Sequence, residues 1–85
     1  MTDARHLDGN AIAGVLNELF GSEMTGRYGC CGHCGAVNLL GAVHVYMDAP
    51  GQVMRCPNCT TVLIVIVNHP DGLRVNFESI RWLDI

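Results

Sequence analysis

The chain has 85 residues and a formal net charge of −3, and its five basic residues are all arginines. This length predicts one domain over residues 1–85, in which a hydrophobic core alone gives marginal stability and a metal or disulfide often adds to it. The arginines occur singly along an acidic chain, whereas proteins that bind DNA or RNA non-specifically carry a basic patch, so nucleic-acid binding is not expected.

No secretory or membrane-spanning segment is expected. Asp3, Arg5, Asp8 and Glu18 interrupt the beginning of the chain, where a signal peptide would need an uninterrupted apolar stretch. The longest aliphatic run, residues 62–67, is far too short to cross a bilayer. Five cysteines, an odd number, suit a reducing compartment better than a disulfide scaffold. We therefore expect a cytoplasmic protein.

One helix is predicted over about residues 8–20. Five apolar residues recur there at helical spacing and form a single stripe. These residues are Ile12, Val15, Leu16, Leu19 and Phe20. Asp8 is the predicted N-cap and Gly21 the predicted C-terminal stop. Gly14 lowers the helix propensity, which predicts a close contact of the helix at that position.

β-Structure is predicted from about residue 28 to residue 85. The expected strands cover residues 37–46, 52–55, 60–67, 73–77 and the segment from Ile80. Gly41 predicts a bulge or a close backbone approach within the first of them, and Asp71-Gly72 predicts a hairpin turn. The continuous apolar run at 60–67 predicts burial on both faces. The expected fold class is a small α+β domain, an antiparallel sheet with one N-terminal helix.

Two C-x-x-C motifs carry the chemistry of this chain. They supply Cys31 and Cys34 in one pair and Cys56 and Cys59 in the other. Two such pairs about twenty residues apart predict a tetrahedral site for one Zn²⁺ ion per chain. Four protein ligands fill the tetrahedral positions of the ion, so none is open to a substrate. No carboxylate pair or serine–histidine arrangement accompanies them. The sequence therefore predicts a structural metal site, which makes the expected fold a metal-bound zinc-ribbon antiparallel sheet with one N-terminal helix, and no enzyme activity.

Three alternatives accompany the zinc prediction. Iron also accepts tetrahedral sulfur ligands, as in rubredoxin, but rubredoxins are richer in aromatic residues than this chain. A thioredoxin-type dithiol would need a βαβ context that is not visible here. Cys30 could replace Cys31 as a metal ligand, but we expect it to be a small buried residue.

The histidines are not expected to bind the metal ion. His33 is expected to face solvent and His44 to lie on the surface, and neither His6 nor His69 is assigned a role.

The order of motifs resembles a family of short actinobacterial proteins of unknown function. The matching segments are Leu7-Asp8-Gly9-Asn10-Ala11, Phe20-Gly21, Met24-Thr25, Cys31-x-x-Cys34-Gly35, Val45-Tyr46, Ala49-Pro50-Gly51, Arg55-Cys56-Pro57-x-Cys59 and Val62-Leu63. Members of that family are sometimes encoded near a molybdopterin oxidoreductase and a flavin-dependent ferredoxin reductase. The resemblance therefore implies a small accessory protein or an electron-transfer partner of an oxidoreductase.

Three functions are compatible with the sequence. The leading expectation is a structural zinc ribbon that acts as a protein-interaction or accessory module, through a protein partner or as a homodimer. The second is an iron-containing electron carrier that resembles rubredoxin. The third is a zinc ribbon that binds nucleic acid, which the scattered arginines and the negative charge argue against.

Overall fold

The computed structural model describes residues 6–48 and 51–85. One α-helix, α1, spans Ala13–Phe20. The strands are β1 (Leu7–Asp8), β2 (Tyr28–Cys31), β3 (Val37–Leu39), β4 (His44–Asp48), β5 (Gly51–Arg55), β6 (Val62–His69), β7 (Gly72–Phe77) and β8 (Ile80–Leu83). The Ala49-Pro50 part of the resemblance lies outside the described residues. None of the helices in these ranges has the length and apolar character needed to cross a membrane.

The strands form two antiparallel sheets rather than one. The larger sheet has the order β1-β4-β5-β6-β7, and the smaller sheet has the order β3-β2-β8. The first C-x-x-C segment joins β2 to β3 in the smaller sheet, and the second joins β5 to β6 in the larger one. The predicted class, a small α+β domain with antiparallel β-structure and one helix near its N-terminus, is confirmed, and each sheet supplies one pair of cysteines.

The helix begins later than the sequence predicts. Asp8 pairs with His44 in the β1–β4 ladder, and a 3-10 turn over Gly9–Ile12 precedes α1. The backbone of Asp8 therefore has a partner on another strand, and its side chain makes no capping hydrogen bond. The predicted stop at Gly21 is confirmed by its left-handed φ of 73°. The contact expected at Gly14 is wrong, because nothing lies within 4 Å of a Cβ built there.

The strand predicted over residues 37–46 is divided between the two sheets. β3 ends at Leu39, a 3-10 turn covers Leu40–Ala42, and β4 begins at His44. Gly41 explains the division: its N–H donates to Thr25 O at 3.0 Å, and a Cβ there would lie 2.6 Å from Asn10 Oδ1. The predicted close approach is confirmed, and it redirects the chain from one sheet into the other.

The core lies between α1 and one face of the larger sheet. Its fully buried members include Leu16 from the helix, Val45 and Met54 from β4 and β5, and Ile64 and Ile66 from β6. The alternating Val65 and Val67 are only half-buried, so β6 is not buried on both faces as predicted. The β6–β7 hairpin forms with His69 opposite Gly72, which confirms the predicted turn.

Candidate metal centre

The four predicted ligands lie together. The Sγ atoms of Cys31, Cys34, Cys56 and Cys59 are all within 4.8 Å of one another. Cys31 Sγ is 3.6 Å from Cys59 Sγ, and Cys34 Sγ is 3.7 Å from Cys56 Sγ. A tetrahedron with metal–sulfur bonds of about 2.3 Å has sulfur–sulfur edges of about 3.8 Å. The cluster therefore fits a single tetrahedral metal ion.

The two cysteine loops have the same backbone hydrogen bonds. In the first, Gly35 N donates to Cys31 O at 3.0 Å and Cys31 N donates to Ala36 O at 2.9 Å. In the second, Thr60 N donates to Cys56 O and Cys56 N donates to Thr61 O, both at 2.9 Å. Each loop thus holds its two sulfurs on the same side of a closed turn. The sequence spacing predicts this pairing because the whole unit is local.

Backbone N–H groups point at the first sulfur of each loop. His33 N and Cys34 N lie 3.4 and 3.5 Å from Cys31 Sγ, and Asn58 N lies 3.4 Å from Cys56 Sγ. Such donors stabilise thiolates and orient them toward a metal ion. Cys31 and Cys56 are buried, whereas Cys34 is exposed and Cys59 half-buried. The cluster is consequently anchored in the core on one side and reaches solvent on the other.

The thiols perturb one another. Hydrogen bonds from the side chain and backbone of Thr61 lower the pKa of Cys59 to about 6. The Ala36 backbone lowers the pKa of Cys34, but desolvation and the other three thiols outweigh it and raise that pKa to about 12. Four sulfurs this close cannot all be thiolates without a cation among them, because like charges at short distance oppose ionisation. A divalent metal ion would supply that charge.

Thr60 has a strained backbone. Its φ is 66°, the left-handed region, where a β-branched residue is an outlier, and Gly35 has a φ of 79° at the equivalent place in the first loop. Arg55 Nη1 donates to Thr60 O at 2.8 Å and helps to hold this conformation. The sequence marks Thr60 only as a residue standing where glycine is common.

Replacing Thr60 by glycine is expected to stabilise the metal-loaded protein by about 1 kcal/mol, since the relief of left-handed strain exceeds the added entropy of the unfolded chain. The free energy of unfolding from urea titrations measures this change. Gly35→Ala is the matched control and should lower stability by a similar amount. A loss of stability in Thr60→Gly would show that the threonine contacts outweigh the strain.

Cys30 and the histidines stand apart from the cluster. Cys30 is buried in β2, and its Sγ lies 3.6 Å from the carbonyl oxygens of Cys31 and Gly35. His33 is exposed between the first two ligands, as predicted. His44 is half-buried and stacks on His6, with 3.7 Å between ring centroids. Among the described residues, the four cysteines are the group able to hold a metal ion.

Sequence reasoning missed the residues that support the ligands. Thr61 Oγ1 lies 3.2 Å from Cys59 Sγ, and the Arg55 guanidinium lies over the Tyr46 ring, 5.9 Å from its centroid, while it donates to Thr60 O. The Thr60-Thr61 pair after the last cysteine was the available signal for the first contact. The second depends on β4 lying beside β5, which the local sequence does not reveal.

Comparison with known proteins identifies a family. Neither the curated proteins nor the solved structures include a match to this chain. The family described as DUF6510, family of unknown function, matches residues 3–85. This match confirms the predicted resemblance to a family of unknown function, and it covers both cysteine pairs. The chain belongs to the DUF6510 family.

Proposed function

We propose that this protein is a structural zinc-binding ribbon that acts as a protein-interaction module in the cytoplasm and performs no catalysis of its own. The observation that supports the proposal is the closed cluster of four cysteine sulfurs within 4.8 Å. Zn²⁺ favours such a tetrahedral sulfur set, and four protein ligands leave it no open position for substrate. When bound, the ion would supply charge neutralisation and a cross-link between the two cysteine loops.

The position of the cluster supports a structural role for the ion. Cys31 ends β2 of the smaller sheet, and Cys56 follows β5 of the larger sheet. In the described ranges no strand of one sheet pairs with a strand of the other. A metal ion held by both loops would therefore fix the orientation of the sheets. Structural zinc contributes about 10–16 kcal/mol of apparent binding free energy in small peptides.

An iron-containing electron carrier is the second candidate. The same tetrahedral sulfur set accepts iron, and the exposed Cys34 would bring an electron-transfer centre near the surface. A partner oxidoreductase would then be expected. The two candidates differ in their metal, in their colour and in whether the bound ion is reducible.

Metal analysis of protein purified without metal-affinity resin separates these candidates. One zinc per chain and no visible absorbance are expected. A red protein that contains iron and bleaches with dithionite would replace the proposal with electron transfer. A folded protein that stays metal-free after anaerobic addition of either metal would contradict both.

A further inference from the structure

The outward face of the smaller sheet is apolar. Strand register places Tyr28 opposite Leu39, and Cys30 opposite both Val37 and Trp82. Residues opposite each other share a face of a sheet, so these five side chains form one surface, the outer patch. Cys30 is buried at its centre, whereas Tyr28, Val37, Leu39 and Trp82 are 49%, 50%, 36% and 42% exposed.

The outer patch has the size at which apolar patches on proteins are often functional. The exposed parts of its four large side chains amount to roughly 400 Å², within the range of the largest apolar patches on monomeric proteins. Tyrosine and tryptophan are also enriched where proteins bind one another. Two such patches facing each other, with their rims, would bury about 1,000 Å², the lower limit for a specific interface.

The β8 side of the patch carries charges of both signs. Ile80 and Leu83 pack against the core, and the register shift in β8 leaves Arg81 exposed beside Trp82. Asp84 continues the same strand, and its N–H donates to Tyr28 O at 2.9 Å. The strand thus carries one cation near its beginning and one anion just past its end. No ion pair joins Arg81 to Asp84 in the part of the chain that the structure describes.

We propose that the outer patch binds the outer patch of a second copy of this chain. In this arrangement a two-fold axis lies in the plane of the interface and is perpendicular to the strands. The β8 strands of the two copies would then face each other and run in opposite directions. Arg81, bulged beside Trp82, would then approach Asp84 of the second copy, and the same pair would recur by symmetry. With that axis over Gly29 and Leu83, Tyr28 would lie over Cys30 of the second copy, the larger side chain over the smaller. Val37 would lie over Leu39, and Trp82 over Asp84.

The charge balance selects the second copy over other partners. The chain is acidic overall, yet the patch is uncharged and the β8 side of its rim contains one charge of each sign. A strongly acidic or basic partner would gain no net electrostatic attraction from such a rim. In a dimer with two-fold symmetry, in contrast, each of the two charges meets a charge of opposite sign. This inference rests on the proposed function only in treating the protein as an interaction module.

The test is the oligomeric state of the zinc-loaded chain. Sedimentation equilibrium over a wide concentration range is expected to give the mass of two chains, falling to one on dilution. The fluorescence of Trp82, the one tryptophan in the chain, should shift to longer wavelength over the same range as the ring becomes hydrated. Val37→Glu should raise the dimer Kd more than about 100-fold, because it places an unpaired charge in the interface.

Matched variants test the surface and its symmetry. Met47→Glu, at an apolar residue of the larger sheet with 57% exposure, should leave the Kd unchanged. Arg81→Glu should raise it about tenfold by opposing two carboxylates at each end. Arg81→Glu combined with Asp84→Arg should restore it to within about threefold, because the pairs re-form with their signs exchanged.

Two results would overturn the dimer. One is a single-chain mass at all concentrations, and the other is a dimer that Val37→Glu leaves intact. Zinc content and circular dichroism on the same samples separate this failure from failure of the proposed function. A folded, zinc-loaded monomer would contradict the dimer and would be consistent with the structural zinc site.

Discussion

Replacing Cys34 or Cys59 by serine is expected to release the metal ion and unfold much of the β-structure. Each variant leaves three sulfurs around a cation that needs four, and the apparent contribution of structural zinc, about 10–16 kcal/mol, is as large as the net stability of a typical domain, about 5–15 kcal/mol. Metal content per chain and the cooperativity of thermal unfolding measure the two effects. Removing the ion from the unaltered protein with a strong chelator should reproduce them.

Cys30→Ser is the matched control for the ligand variants. Cys30 lies next to Cys31 but outside the cluster, so its replacement should leave metal content unchanged. A small loss of stability, about 1–2 kcal/mol, is expected because a buried thiol becomes a buried hydroxyl. If Cys30→Ser released the metal while Cys34→Ser retained it, the assignment of ligands would be wrong.

Gly9→Ala is expected to cost about 3 kcal/mol or more. A Cβ on Gly9 would lie 1.7 Å from the carbonyl oxygen of Leu40 and 2.7 Å from its carbon, both of them backbone atoms. Neither atom can swing aside as a side chain would, so the 3-10 turn at Gly9 would have to move away from the turn at Leu40. The midpoint of urea unfolding of the metal-loaded protein would fall accordingly.

Gly14→Ala provides the opposite result in the same segment. Gly14 lies within α1 and has open space around it. Alanine there should stabilise the protein by about 0.5–1 kcal/mol, since it restricts the unfolded chain and suits a helix. Equal effects of the two substitutions would mean that glycine at position 9 serves flexibility rather than close packing.

The predictable parts of this protein are those fixed by neighbouring residues. The C-x-x-C spacing determines that two sulfurs share a turn, so the cluster follows once the two turns meet. The stop at Gly21 and the hairpin at Gly72 are equally local, because each needs a backbone conformation that glycine supplies. The apolar alternation of β7 likewise predicts a strand without any knowledge of its neighbours.

The unpredicted parts depend on contacts between distant segments. Residues 37–46 carry strand-forming residues throughout, and only the approach of Asn10 and Thr25 to Gly41 shows why the chain turns there. The late start of α1 has a similar cause, since pairing with β4 takes Asp8 into a strand. The outer patch was also hidden, because apolar residues such as Trp82 suggest burial until the sheet register places them on one exposed face.

The division of the ligands between two sheets has a mechanical consequence. No ladder of interstrand hydrogen bonds joins the described strands of the two sheets. A force that pulls the sheets apart would therefore be carried by the bound ion together with the backbone connections from β3 to β4 and from β7 to β8 and the β8 side chains packed on the core. Detachment of the first thiolate would leave the sheets joined by these backbone connections, so the sheets could shift relative to each other before they separate. With the ion bound, the metal site would limit the motion of one sheet relative to the other.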